Sequence, residues 1–99
     1  MNNRDIIGLV AEAAGITPTA IMGRSRQLHH KQARQAAVHA CREITGASYP
    51  QLGQIFTNRH HTSIMSLNRG WRNADNDDLR RKVNRIIEDA QSIVARAGV

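Results

Sequence analysis

Apolar residues recur at helical rather than alternating spacing along nearly the whole chain. Ile6, Ile7, Val10 and Ala13 or Ala14 share one side of a first helix, which Asn2 or Asn3 can cap and Gly15 stops. Thr17-Pro18 opens a brief helical turn through Ile21 and Met22, since proline at the first helical position loses no hydrogen bond, and Gly23 ends it. Residues 24–30 lack a helical period and predict a basic loop. A long helix from about Lys31 to Thr45 carries a stripe of Ala33, Ala36, Ala37, Ala40, Cys41 and Ile44. Such small side chains let neighbouring helices approach closely. Gly46 ends this helix.

Ser48 then caps a short helix, and Gln51 three residues later completes a capping box. Leu52, Ile55 and Phe56 are its core contacts, and Gly53 permits close approach to a partner helix. The next helix begins near Asn58–His61, runs to about Ala74, and buries Ile64, Leu67 or Met65, and Trp71. After a polar break from Asn73 to Asp78, a final helix spans about Asp77 to Ala97. Leu79, Val83, Ile86, Ile87, Ala90, Ile93 and Val94 recur along it, and acids cluster at its start, where the helix dipole favours them. The fold class is therefore all-α: a small helical bundle forming one domain over residues 1–99, with a helix-turn-helix at about 48–74. A domain this small buries a modest core and has little room for an enclosed active site.

Charge sharpens the picture. The net charge is +6, but residues 1–23 carry −1, residues 24–74 carry +7 and residues 75–99 balance. Arginine dominates the basic segment, and its planar guanidinium suits phosphate, so a polyanion is the natural partner. With one Trp, one Tyr and one Phe, aliphatic and Ala positions must do most of the packing. Cys41 is alone, which excludes an intrachain disulfide and a thiol zinc site; it reads as a small core residue. No run approaches membrane-spanning length, and a reducing, cytoplasmic setting is expected, with no membrane partner.

The chemistry concentrates at Arg59-His60-His61-Thr62-Ser63, the start of the second helix of the helix-turn-helix. Such a start is placed to meet base edges in the major groove. Arginine can grip guanine through two acceptors, while His, Thr and Ser can reach N7, O4, O6 or the thymine methyl. Arg24 and Arg26 in the basic loop are candidates for the minor groove or its flanking phosphates. Arg34 and Arg42 lie eight apart on the long helix, share one side and could clamp phosphates. Two other function classes compete with this one. His29-His30 and His60-His61 are adjacent pairs that diverge around a helix, with no carboxylate beside either, so a metal-dependent enzyme is not expected; no catalytic residue, metal or cofactor is assigned. The final helix could pack on the core or pair with a second copy as a homodimer, as an interaction module would.

From Ile6 to about Trp71 the chain resembles the C-terminal DNA-binding domain of the bacterial replication initiator DnaA. The family's signature runs close to Gly-Arg-Asp-His-Thr-Thr-Val and stands here as Asn58-Arg59-His60-His61-Thr62-Ser63-Ile64. Ser48-Tyr49-Pro50-Gln51-Leu52-Gly53 with Phe56 matches the family's preceding Ser-x-Pro-x-Ile-Gly-x-x-Phe, and Ala33-Arg34-Gln35 and Arg42-Glu43-Ile44-Thr45 correspond without gaps. The resemblance implies a fold similar to that of the tryptophan repressor and a double-stranded DNA partner. It implies that Arg26 enters the minor groove and that His60, His61, Thr62 and Ser63 read the major groove. It further implies that Tyr49 and Pro50 touch the backbone, and that Arg34, Gln35 and Arg42 contact phosphates. The family's Asp is His60 here, so the box read is expected to differ from, or be looser than, the family's at that base. No Gly-rich phosphate loop is present, so no nucleotide partner is expected and this chain alone would not hydrolyse ATP. Met1 and the capped first helix favour a freestanding relative over an excised domain. A role in replication initiation or its regulation is implied, in the bacterial cytoplasm or nucleoid. The alternatives are a transcriptional regulator or a competitor of the host initiator, with a phage or mobile-element origin suiting so small a reader.

Overall fold

Local capping chemistry sets most of the helix boundaries. In the computed structural model, which describes the backbone of residues 1–97 and the side chains of residues 1–93, six helices follow one another. Helix α1 (Asn3–Ala14) starts where Asn2 accepts from the Asp5 N–H at 2.8 Å while the Asp5 carboxylate accepts from the Asn2 N–H at 3.3 Å. It ends at Gly15, whose φ of 72° a side chain would oppose. Helix α2 (Pro18–Met22) is capped by Thr17 Oγ1, which accepts from the Ala20 N–H at 3.1 Å.

Helix α3 (Leu28–Thr45) is the central element; α1, α2, α5 and α6 all pack against it. It begins at Leu28, not Lys31, so the expected loop of residues 24–30 keeps only its first four residues out of helix. The extra turn has no local signal. Gln27 makes no side-chain cap, Leu28 is exposed, and the turn forms by propagation from the buried Ala stripe below it. The alanines of that stripe, with Val38 and Cys41, are fully buried, and Ile44 is half-buried. Burial alone pushes the Cys41 thiol up to about 12, so it stays an inert core residue.

Helix α4 (Tyr49–Ile55) has the full capping box: Ser48 Oγ accepts from the Gln51 N–H at 3.2 Å and Gln51 Oε1 from the Ser48 N–H at 2.9 Å. Leu52 and Phe56 are fully buried. Helix α5 (His61–Trp71) turns Ile64, Leu67 and Trp71 inward, which settles the choice between Leu67 and Met65. It stops three residues short of Ala74, because Arg72, Asn73 and Ala74 close with tighter three-residue turns back to Arg69, Gly70 and Trp71.

Helix α6 (Asp77–Ala97) starts where Asn76 Oδ1 accepts from the Leu79 N–H. Leu79, Val83, Ile87 and Ala90 are buried, and the helix packs on α1 and α3. The apolar stripe that a homodimer would use is thus spent inside the monomer as far as Ala90. Ile93 is exposed, and the side chain of Val94 lies outside the described residues. Arg80 fixes the corner between α5 and α6: its guanidinium lies 4.7 Å from the Trp71 ring centroid and donates to the Trp71 and Ala74 carbonyls at 2.8 and 2.9 Å. Among the described residues there is no strand, and no helix is long and apolar enough to cross a membrane.

His39 is half-buried on α3 with its ring 6.4 Å from that of Trp71. Burial lowers its pKa from 6.5; Glu43 opposes the shift and the Arg80 and Arg72 charges add to it. A lowered folded value favours the neutral imidazole in the folded state. That stability is present above the unfolded value and is lost as pH falls below it. Urea melts of the protein should therefore weaken as pH drops from about 7.5 to about 5.5, and His39→Phe should flatten that part of the profile; an unchanged slope in the variant would show that other groups carry it.

Candidate nucleic-acid interface

Two irregular segments meet beside the start of α5: the loop of residues 23–27 and the turn of residues 56–60. The turn is unusual because Thr57 and Asn58 both adopt the left-handed region, with φ of 61° and 51°. Asn tolerates this conformation; a β-branched Thr does so only when its surroundings hold it. Three sets of bonds supply that hold. Thr57 Oγ1 donates to the Met22 carbonyl, Arg24 donates to the Thr57 carbonyl at 3.1 Å, and the Arg59 N–H donates to the Gly53 carbonyl at 2.8 Å. Arg59 in turn donates through its side chain to the Gly23 carbonyl at 2.8 Å. Loop and turn are therefore cross-bonded in both directions.

Gly53 is required here, though not for the reason its position suggests. It was expected to admit a partner helix. Instead the backbone of the turn itself folds over it, and a Cβ would collide with the Arg59 carbonyl oxygen.

Arg34 lies beneath the loop. It is 3% exposed, and its guanidinium donates to the carbonyls of Ile21 at 2.6 Å, Ser25 at 3.2 Å and Ala20 at 3.2 Å. Burial, and then the like charge of Arg59, lower its pKa from the usual guanidinium value. Expectation and structure differ for both residues. Arg34, expected on a phosphate, braces the basic loop from inside. Arg59, expected on a guanine, is half-buried and turned toward that loop, with Nε buried and unpartnered. Burial and the charge of Arg24 lower its pKa as well. Arg42 is similarly engaged: it donates to the Ala47 carbonyl at 2.8 Å and stacks 4.1 Å over the Tyr49 ring. Gln35 is buried against α5, where a Cβ on Gly70 would meet its Nε2 at 2.5 Å.

The remaining sequence-derived residues are displayed outward. Arg24, Arg26, Pro50, His60, His61, Thr62 and Ser63 are exposed, and Tyr49 is half-buried at the first position of α4. His60 caps α5 with an imidazole: Nδ1 accepts from the Thr62 N–H at 3.3 Å and lies 2.8 Å from Thr62 Oγ1. The His60 and His61 ring centroids lie 4.2 Å apart, the rings tilted by 36°. Arg24, Ser25, Arg26, Lys31, Arg34 and Arg59 line one cleft of about 410 Å3 beside this display. No carboxylate lies on that cleft, so the site is a concentration of positive charge next to a row of hydrogen-bonding side chains. Lys31 joins the basic group and Thr57 joins its scaffold, although neither stood out in the sequence. The only trace of Thr57's role is the Asn58 beside it, a residue type suited to a left-handed turn.

These features coincide with a known family. The model of the bacterial dnaA protein helix-turn-helix matches residues 4–69. The chromosomal replication initiator protein DnaA of Clavibacter sepedonicus is 42% identical over 65 residues, covering 66% of this chain and 14% of that protein. That of Thermus thermophilus is 38% identical over 61 residues, covering 62% of this chain and 14% of the relative. DnaA 1 of Chlamydia trachomatis is 30% identical over 84 residues, covering 85% of this chain and 18% of the relative. The chain thus spans less than a fifth of the length of these relatives.

Two substitutions test the scaffold. Gly53→Ala should destabilise the protein by about 1–3 kcal/mol, since the crowded partner is backbone and cannot turn away. Arg34→Met should cost about 2–4 kcal/mol by stranding three carbonyls, and Arg34→Lys should recover only part of it, because one ammonium cannot serve all three. Urea denaturation reads both; a loss under about 0.5 kcal/mol for Arg34→Met would mean water replaces the guanidinium.

Proposed function

The chain belongs to the bacterial DnaA helix-turn-helix family, and from that premise we propose that it binds duplex DNA sequence-specifically at a DnaA-box-like site in replication initiation or its regulation. The observation that carries this reading is the exposed row His60-His61-Thr62-Ser63 at the start of α5, held beside a basic loop. Base edges in the major groove are donors, acceptors and thymine methyls, and this row offers complementary groups to each. Arg26, exposed beside it, is the minor-groove candidate, and Arg24 and Lys31 supply phosphate contacts. Arg34 and Gln35 act on the DNA indirectly in this reading, by holding the loop and α5. Binding of this kind is not catalysis, and nothing proposed for the residues of the site calls for a metal or a cofactor. Residence in the cytoplasm or nucleoid follows from the reading.

His60 departs most consequentially from the family signature. With Nδ1 engaged in capping α5, Nε2 is the ring nitrogen left to face DNA. In that role it donates to N7 or O6 of a purine, where the family's Asp, an acceptor only, suits a cytosine amino group. The preferred box therefore differs from, or is looser than, the family's at that base pair.

Selection from a random duplex pool should return one asymmetric preferred sequence. Thr62→Ala should weaken binding to that sequence by about 1–3 kcal/mol and leave random duplex nearly unchanged. A selected pool no different from the starting one at low salt would overturn the reading.

A further inference from the structure

The second half of α5 carries positive charge that the recognition row does not use. Arg69 and Arg72 are exposed, and among the described residues no carboxylate oxygen lies within 4 Å of either guanidinium. With Tyr49, Met65 and Asn68 they line a small cavity of about 130 Å3 between the start of α4 and the end of α5. Tyr49 forms its floor. Arg42 covers the ring at 4.1 Å, and the hydroxyl meets Asn68 Nδ2 at 3.1 Å. Asn68 Oδ1 is buried with no partner.

The two guanidiniums identify what the cavity takes. Arg69 and Arg72 present donors only, and a single anion with several acceptor oxygens satisfies both together. A tetrahedral phosphate oxyanion fits a space of this size and charge.

We propose that this cavity seats one phosphate of the duplex backbone, with Arg69 and Arg72 as its cationic walls and the hydrogen-bonded Tyr49–Asn68 pair lining it between them. The proposal rests on the reading of the chain as a duplex-DNA binder. Its place in the fold favours backbone over free phosphate. The basic loop flanks the start of α5, while Asn68 lies seven residues further on, roughly 10 Å along the helix. Phosphates held at both ends of α5 would fix the tilt of that helix in the groove, which one end alone would leave free to swing. Tyr49 joins the two helices that form the cavity, held by Arg42 over its ring and by Asn68 at its hydroxyl.

The test compares wild type, Arg69→Gln/Arg72→Gln and Arg69→Lys/Arg72→Lys on selected and random duplexes over a salt series, with phosphate-ethylation interference on the selected duplex. The Gln pair should reduce the magnitude of the log–log salt slope by about one. It should weaken selected and random duplexes by the same factor and abolish interference at one flanking phosphate. The Lys pair should restore the slope. A Gln pair with the wild-type slope and interference pattern, in a protein whose wild type still discriminates between duplexes, would overturn the cavity while leaving the function intact. A wild type that binds no duplex would overturn both. Titration with inorganic phosphate, followed by NMR of the Asn68 side-chain amide, separates the other source: saturation by free phosphate with an unaltered ethylation pattern would identify an anion site unrelated to DNA. Melts of each variant check that all three fold.

Discussion

The exchange of hydrogen bonds between the loop after α2 and the turn before α5 is the constraint on which the interface depends. Neither segment has regular structure to hold it. Each donates an arginine to the other's backbone, Arg24 to Thr57 and Arg59 to Gly23, and Thr57 ties the turn to the end of α2. Arg34 completes the arrangement from below by gathering three carbonyls of the residues around the loop. Buried carbonyls need donors, and guanidinium is the side chain with enough of them in one plane to serve several at once. The relative placement of the basic loop and the recognition row is therefore set by side-chain-to-backbone bonds across more than thirty residues of sequence, before any ligand is bound.

The same arrangement concentrates like charge. Burial is the larger cause of the lowered pKa of Arg34 and of Arg59, but the charge of Arg59 adds to the first and that of Arg24 to the second, so the three guanidiniums feel one another in the free protein. Their carbonyl partners supply partial negative charge but no formal counter-ion, and no carboxylate lines the cleft they share. A polyanion relieves this repulsion without requiring the scaffold arginines to leave their carbonyls. In the proposed complex the exposed charges are the ones placed to make contact, while the inner ones contribute field. Affinity and architecture are thus partly carried by the same residue type at different depths.

What the sequence reveals about this fold divides along the range of the interactions involved. The caps of Asn2, Thr17 and Ser48 and the stops at Gly15 and Gly46 act within a few residues, and each appears where its motif predicts. Long apolar periods likewise place α3, α5 and α6. The start of α3 at Leu28 is illegible because no side chain caps it. The inward turn of Arg34 is illegible for a different reason: its partners lie nine to fourteen residues away, and nothing about an arginine in sequence distinguishes a rod from a surface charge. Gly53 illustrates a correct inference with the wrong neighbour, since close approach was implied by the residue but its object was set by the turn. The exposure of His60-His61-Thr62-Ser63 at the start of α5 was legible because polar residues crowded at a helix start have no use in a core. The Asn68 cavity was not, because it joins the start of one helix to the end of the next.

Helix capping and the proposed base reading are coupled at His60. As the cap of α5 it bonds the Thr62 backbone, a role a carboxylate or hydroxyl fills in other helices. That bond also fixes the ring, so the cap decides which nitrogen points outward. A substitution here therefore acts twice, on how firmly the first turn of α5 is wound and on which base functional group it can meet. Thr62 is bound to the same nitrogen through both its N–H and its hydroxyl, so the two neighbouring readers do not move independently. In the proposed reading, recognition at this end of the helix is then a property of the capped turn as a unit. A change of base preference introduced at position 60 would carry Thr62 with it, because the hydrogen bond that orients one side chain is the one that anchors the other.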